Sequence, residues 1–99
     1  MPKIIGIDPG LHGAIAIFDG EKLAVHDMPI KKITINKKRR SMLDMSALAD
    51  LMREQDPHDR VVIEAVHAMP AQGVTSSFSF GVVFGAIQQA VACNFYAPA

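Results

Sequence analysis

The sequence predicts a single α/β domain in which three antiparallel strands precede two helices and a parallel strand. Short β-branched runs separated by turn signals open the chain, and apolar residues at helical spacing recur in its second half. Its 99 residues suffice for one domain, and 49% apolar against 20% charged residues favours a packed core over disorder. We therefore expect residues 1–99 to form one folded unit.

The first three strands are predicted from apolar runs with turns between them. Residues 3–8 (KIIGID) end at the turn signal Pro9-Gly10, and residues 12–19 (HGAIAIFD) follow as a second strand. Asp19-Gly20 lies between two apolar runs and predicts a hairpin into residues 22–28. We expect these strands to form an antiparallel meander. The next residues, 30–40, have no clear period and predict a loop or an extended arm.

The second half alternates helix and strand. Ser41 opens a capping box, and Asp44 is a second possible cap. Apolar residues at helical spacing predict a helix of about ten to twelve residues that ends near Gln55. Residues 60–66 (RVVIEAV) form a strand that a crossover helix would place parallel to an earlier one. A loop, a helix over residues 76–94 and the start of a strand at residues 95–98 complete the prediction.

Net charge is zero, which excludes a strongly basic coat protein and an acidic tail protein, but the charges are unevenly distributed. Six of the ten basic residues fall within residues 31–40, and no acid lies between Asp27 and Asp44. The 35 residues after Glu64 carry no Asp, Glu, Lys or Arg, so we expect a partner or a further segment to cover them. One cysteine, no signal peptide and no long apolar run predict a soluble cytoplasmic protein without membrane association.

Asp8 and Glu64 are the candidate catalytic and metal-binding residues. Each lies at or near the end of an apolar strand, where an ionised carboxylate needs a cation or hydrogen bonds. Side-chain alternation allows neighbouring strands to bring both acids onto one face, and carboxylate oxygens suit Mg²⁺ or Mn²⁺. The alternative is structural: Asp8 would cap the Pro9-Gly10 turn, and Glu64 would pair with Arg60 or a lysine.

The segments IIGIDPGLHGAIAIFDG, VVIEAVHAMPAQGVTSSFSFG and VFGAI resemble the RuvC-like Holliday-junction resolvases, in particular the compact phage and prophage form, over nearly the whole chain. The resemblance implies an RNase H-like mixed sheet and a homodimer that cuts four-way DNA junctions in recombination and repair. It makes Asp8 and Glu64 ligands in a site of four carboxylates and two Mg²⁺ (or Mn²⁺) ions, in the cytoplasm of a bacterial or phage-infected cell.

Two departures from the family pattern matter. The family continues through a completed fifth strand and a last helix that supplies two more acidic ligands, so we expect this chain to be the N-terminal portion of such a domain. His67 stands where the bacterial resolvases hold an aromatic residue that wedges into the junction. Imidazole stacks more weakly, and the alternatives for His67 are a phosphate contact or a plain loop position.

The remaining candidate residues concern partners. The basic arm is either solvated surface or a phosphate-binding element, and the resemblance favours DNA contact through Lys31, Lys32, Lys37, Lys38, Arg39 and Arg40. Neutral phosphate contacts are expected from Gln72, Ser76 and Ser77. The stripe of Phe80, Phe84, Ile87 and Val91 predicts core packing, while the other helix faces are uncharged, and the resemblance implies a dimer interface at Phe80, Gly81, Phe84 and Gly85.

The sequence is compatible with three candidate functions. The first is a metal-dependent endonuclease of Holliday junctions, and the second is a catalytically silent fragment that dimerises or binds DNA. The third is an ATP-binding fragment of the actin and sugar-kinase group, which also opens with a strand, an Asp and a Gly-rich hairpin. That group needs a second phosphate-binding Asp-Gly loop, which this sequence lacks.

Overall fold

The structure is a computed structural model that describes residues 2–64 and 74–95. It is an α/β fold with a mixed sheet, as the sequence predicts. Within the described ranges the elements in chain order are β1 (Ile4–Asp8), β2 (Ala14–Phe18), β3 (Leu23–Asp27), β4 (Ile30–Ile35), β5 (Lys38–Leu43), α1 (Met45–Arg53), β6 (Arg60–Ile63) and α2 (Val74–Asn94).

The four-stranded sheet has the order β3-β2-β1-β6. Strands β1 to β3 form the expected antiparallel meander, and β6 pairs parallel to β1 after the α1 crossover, which confirms both predictions. The hairpin between β2 and β3 turns at Asp19-Gly20. There the backbone N–H groups of Lys22 and Glu21 donate to Asp19 Oδ1 and hold the pKa of this carboxyl below its usual value.

Residues 30–40 do not form the expected loop or extended arm. They belong to an antiparallel hairpin of β4 and β5, which we call the basic ribbon (residues 30–43). Asn36 and Lys37 form its two-residue turn with φ of 51° and 64°, the left-handed values of a type I′ turn. The sequence did not predict this hairpin, because its only apolar alternation is the short Ile33-Thr34-Ile35 segment and its turn lacks glycine. Both faces of the hairpin are largely solvated.

Helix α1 is capped by Asp44, the second of the two predicted caps. Asp44 Oδ1 accepts the Ala47 N–H at 3.1 Å, whereas Ser41 lies inside β5 and begins no helix. The helix has nine residues and ends at Arg53, slightly before the predicted end at Gln55. Leu48 and Met52 are its buried residues and join the core.

Helix α2 begins two residues before its predicted start, and its packing stripe agrees with the predicted one at Ile87 and Val91 only. Its buried residues are Val83, Ile87 and Val91, while Phe80 and Phe84 of the predicted stripe are half-buried. Phe95 follows the helix, is buried and donates its N–H to Val91 O, and residues 96–98 of the predicted strand lie outside the described ranges. No helix in the described ranges is long and apolar enough to cross a bilayer.

The two faces of the sheet differ. One face, which we call the helix face, carries the fully buried Ile5, Ile15 and Val61, and these form one core with α1 and α2. The opposite face, the open face, carries five exposed large apolar residues: Ile4, Phe18, Leu23, Val25 and Val62. Side-chain alternation assigns each strand residue to one face or the other.

Asp59 joins the beginnings of β1 and β6. Its carboxylate is buried, accepts the Lys3 N–H at 2.8 Å and the Asp56 N–H at 3.1 Å, and pairs with Lys3 Nζ at 3.4 Å. The Arg60 N–H in turn donates to Lys3 O at 2.9 Å. These bonds align the first residues of the two parallel strands.

Replacement of Asp59 by alanine is expected to destabilise the chain. It leaves two backbone donors without their acceptor, and the loss of a charge-assisted hydrogen bond costs about 1.5–3 kcal/mol. Chemical denaturation measures the change. Asp50→Ala, which removes an exposed carboxylate paired with Arg53, is the control and should cost less than about 1 kcal/mol. Equal losses in the two variants would contradict this role of Asp59.

Candidate metal-binding site

Asp8 and Glu64 lie side by side at the ends of two parallel strands. Ile7 of β1 is in register with Ile63 of β6, and the Glu64 N–H donates to Ile7 O at 3.0 Å. Asp8 and Glu64 each follow these residues by one position, so both belong to the open face, on strands about 5 Å apart. The structure thus brings together the two carboxylates that the sequence selected.

An open depression of about 520 Å³ lies between these carboxylates and the neighbouring strands. Three small residues, Gly6, Ala14 and Ala16, leave room beside the acids. The complete lining is Gly6, Ile7, Asp8, Ala14, Ala16, Val62 and Glu64. The accessible lining is mostly apolar, and Asp8 and Glu64 are the two acidic residues that contribute to it.

Both acidic side chains are exposed. Among the described residues, no ion pair or side-chain hydrogen bond involves Asp8 or Glu64. The structural alternative, in which Asp8 caps its turn and Glu64 pairs with Arg60 or a lysine, has no such contact to support it in this part of the chain. Both carboxylates are therefore accessible to a cation from solvent.

The donor set fits a Mg²⁺ or Mn²⁺ ion held by few protein ligands. Mg²⁺ is commonly bound by one or two carboxylates and completes its coordination with water and substrate phosphates. Residues 2–64 and 74–95 contain no cluster of three or more His, Cys, Asp or Glu side chains. Asp8 and Glu64 therefore suit one such ion, and the described residues supply no third ligand.

Asp27, which no sequence motif marks as a site residue, lies in the same row of the open face. Asp8 pairs with Ala14, and Ala14 pairs with Asp27, so one strand separates the two acids and they are about 10 Å apart. Its position follows from the register of the Asp19-Gly20 hairpin. We call Glu64, Asp8 and Asp27 the acidic row.

The turn after Asp8 depends on Gly13. A Cβ atom at Gly13 would lie 1.9 Å from the backbone oxygen of Asp8, a distance that no side chain tolerates. The Gly13 N–H donates to Gly10 O, and Gly13 O accepts the Met28 N–H. Phe80 of α2 reaches the same turn, because a Cβ at Gly10 would lie 3.7 Å from its ring. Packing around this turn thus sets the backbone position of Asp8.

The predicted DNA-binding cations all belong to the basic ribbon or its turn and are exposed: Lys31, Lys32, Lys37, Lys38, Arg39 and Arg40. The ribbon begins three residues after Asp27, so it leaves the sheet at the end that carries the acidic row. Near its base the Asp44 N–H donates to Pro29 O at 2.9 Å, and Leu43 is buried in the core.

No described interaction brings the other predicted residues into contact with Asp8 or Glu64. His67 and Gln72 lie outside the described ranges, and Ser76 and Ser77 lie on α2, where only their backbone is described. Of the predicted dimer interface, Gly81 and Gly85 are exposed. Its other two members, Phe80 and Phe84, place their ring centroids 6.0 Å apart. The exposed glycines leave this side of α2 accessible.

Comparison of the chain with protein-family models gives no match, and comparison with curated proteins gives none either.

Gly13→Ala is expected to destabilise the chain by more than about 1 kcal/mol, because the new Cβ would displace the backbone of Asp8. Gly6→Ala is the matched control. Gly6 lies two residues before Asp8 on the open face, and a Cβ there meets nothing within 4 Å. Thermal and urea unfolding should show a change of no more than about 0.5 kcal/mol for the control. Similar losses in both variants would contradict the close approach of Gly13 to Asp8.

Proposed function

We propose that this chain carries two of the metal-binding carboxylates of a structure-selective endonuclease that cuts Holliday junctions. The observation behind the proposal is the adjacent, exposed and unpaired pair Asp8 and Glu64 at the ends of β1 and β6. The sequence resemblance to RuvC-like resolvases selects the substrate. The proposed fold is RNase H-like, and an antiparallel meander followed by a parallel strand agrees with it.

In this proposal Asp8 and Glu64 would hold a divalent metal ion next to a phosphate of the DNA backbone. Bound Mg²⁺ supplies an activated water and neutralises the charge that develops on the phosphate. The small residues Gly6, Ala14 and Ala16 leave space for the phosphate beside the acids. The open face offers an apolar surface next to the site where a further helix of the family's domain would pack with its acidic ligands.

The cations of the basic ribbon supply affinity for DNA. Lysine and arginine contacts to phosphates are largely independent of sequence, which suits an enzyme that recognises the shape of a junction. The ribbon leaves the sheet at the end of the acidic row, so DNA held by it would pass close to the carboxylates.

A homodimer is part of the proposal. The side of α2 that carries Gly81, Val82 and Gly85 is exposed and uncharged. A two-fold dimer formed through this surface would present two sites to a junction in which two strands are cut.

The second candidate function is DNA binding without catalysis. It is favoured by one observation: no third acidic or histidine ligand joins Asp8 and Glu64 within residues 2–64 and 74–95. The chain would then hold branched DNA through its ribbon and leave the phosphodiester bonds intact.

The two candidates predict different results with a synthetic four-way junction and Mg²⁺. For the endonuclease we expect Asp8 and Glu64 to bind a divalent ion, measured with Mn²⁺ by electron paramagnetic resonance, and junction-selective cleavage when the family's two further acidic ligands are supplied. Asp8→Asn and Glu64→Gln should abolish both the Mn²⁺ binding and the cleavage. Both variants should keep junction affinity, because the carboxylates hold the metal and the ribbon holds the DNA. Denaturing gels measure cleavage, and gel shifts in Ca²⁺ measure binding.

Asp50→Asn, a change in an exposed carboxylate on α1, is the control and should leave cleavage unchanged. Junction binding by the unaltered chain without Mn²⁺ binding at Asp8 and Glu64 would favour the second candidate. Binding that is lost in Asp8→Asn but survives charge reversal at Lys37, Lys38, Arg39 and Arg40 would contradict both.

A further inference from the structure

The basic ribbon is charged on both of its faces. Side chains alternate along each strand, and cross-strand partners share a face. Lys32 lies opposite Ser41 and Arg39 opposite Thr34 on the first face, where Lys32 Nζ donates to Ser41 Oγ at 2.8 Å. The second face carries three cations: Lys31, Lys38 and Arg40.

These charges have no local counterions. All six cations of the ribbon are exposed, none takes part in a described ion pair, and residues 28–43 contain no acid. A ribbon that lay flat on DNA would need cations on one face only. Cations on both faces suit a groove whose two walls are lined with phosphates.

The dimensions agree with the major groove. The major groove is about 12 Å wide and admits a two-stranded ribbon, whereas the minor groove is about 6 Å wide. Strands of six residues are about 20 Å long, which is enough to carry the turn from the sheet into a groove about 8.5 Å deep.

Lys37 at the turn is a further indication. It adopts φ of 64°, a left-handed conformation in which glycine is unstrained and is strongly preferred at this position of a type I′ turn. A lysine there places a cation at the tip at the expense of local stability. Conflicts between a residue and its backbone conformation occur characteristically at functional positions.

We propose that the basic ribbon enters the major groove of duplex DNA tip first, with its two faces towards the two phosphate backbones and Lys37 towards the base edges. This inference builds on the proposed function, in that it specifies how the arms of the DNA substrate are held. It requires no cleavage and is therefore testable on its own.

The first test compares the two faces by the salt dependence of binding to a linear duplex. Each lost phosphate contact makes the negative slope of log K against log salt less steep by about 0.9. Lys32→Gln with Arg39→Gln and Lys38→Gln with Arg40→Gln should each reduce the steepness by about 1.8. Lys22→Gln with Arg53→Gln removes the same charge outside the ribbon and should leave the slope unchanged. An effect confined to one face, or absent from both, overturns the proposal, as does failure of the chain to bind duplex.

The second test concerns the tip. Lys37→Gly should raise the thermal midpoint of the chain and at the same time weaken duplex binding and reduce protection of guanine N7 from dimethyl sulfate. A purely structural role for Lys37 predicts higher stability with unchanged binding, which would overturn the assignment of the tip. Displacement of the chain by the minor-groove ligand netropsin would overturn the choice of groove.

The two proposals can fail separately. Duplex binding that depends on both ribbon faces, without Mn²⁺ binding at Asp8 and Glu64, leaves the groove inference standing and removes the support for an endonuclease. Junction cleavage that depends on Asp8, with salt slopes unchanged in the ribbon variants, supports the endonuclease and overturns the groove inference.

Discussion

The parallel register of β1 and β6 is the constraint on which the candidate site depends. Asp59 holds the beginnings of both strands by accepting two backbone N–H groups and pairing with Lys3. Four residues further along, this register places Glu64 beside Asp8. Because side chains alternate, a slip of one residue would turn Glu64 towards the helices and bury its charge. The buried carboxylate of Asp59 at one end of the strands thus helps to fix the register that places the exposed carboxylate of Glu64 at the other end.

The asymmetry of the sheet gives the carboxylates their surroundings. The helices cover one face and form the core, so the strands are firmly held while the opposite face stays accessible. On that open face, Gly6, Ala14 and Ala16 keep the space beside Asp8 clear, and Gly13 lets the following turn approach the Asp8 backbone. The basic ribbon leaves the sheet at the same end. The zero net charge of the chain therefore conceals a local separation of charge between the acidic row and the basic ribbon.

Much of the fold was predictable because its signals are local. The Asp19-Gly20 turn, the β-branched runs of β1 and β6, and the cap at Asp44 each specify an element from a few residues. The basic ribbon was not predictable in this way, since both faces are exposed over most of their length and only Ile33 and Ile35 alternate with a polar residue. The α2 stripe was only partly right, because the packing of the helix on the sheet, which buries Val83 and leaves Phe80 half-exposed, is decided by tertiary contacts.

The sequence by itself determined which residues are candidates: two carboxylates at the ends of apolar strands and a cluster of cations without local acids. Only the tertiary structure decided their arrangement. It brought Asp8 and Glu64 together across 56 positions of sequence, added Asp27 to their row and distributed the cations over both faces of a hairpin. The physical reason is that strand pairing is non-local: backbone hydrogen bonds and the burial of one sheet face select the register, and the register selects the neighbours of every side chain.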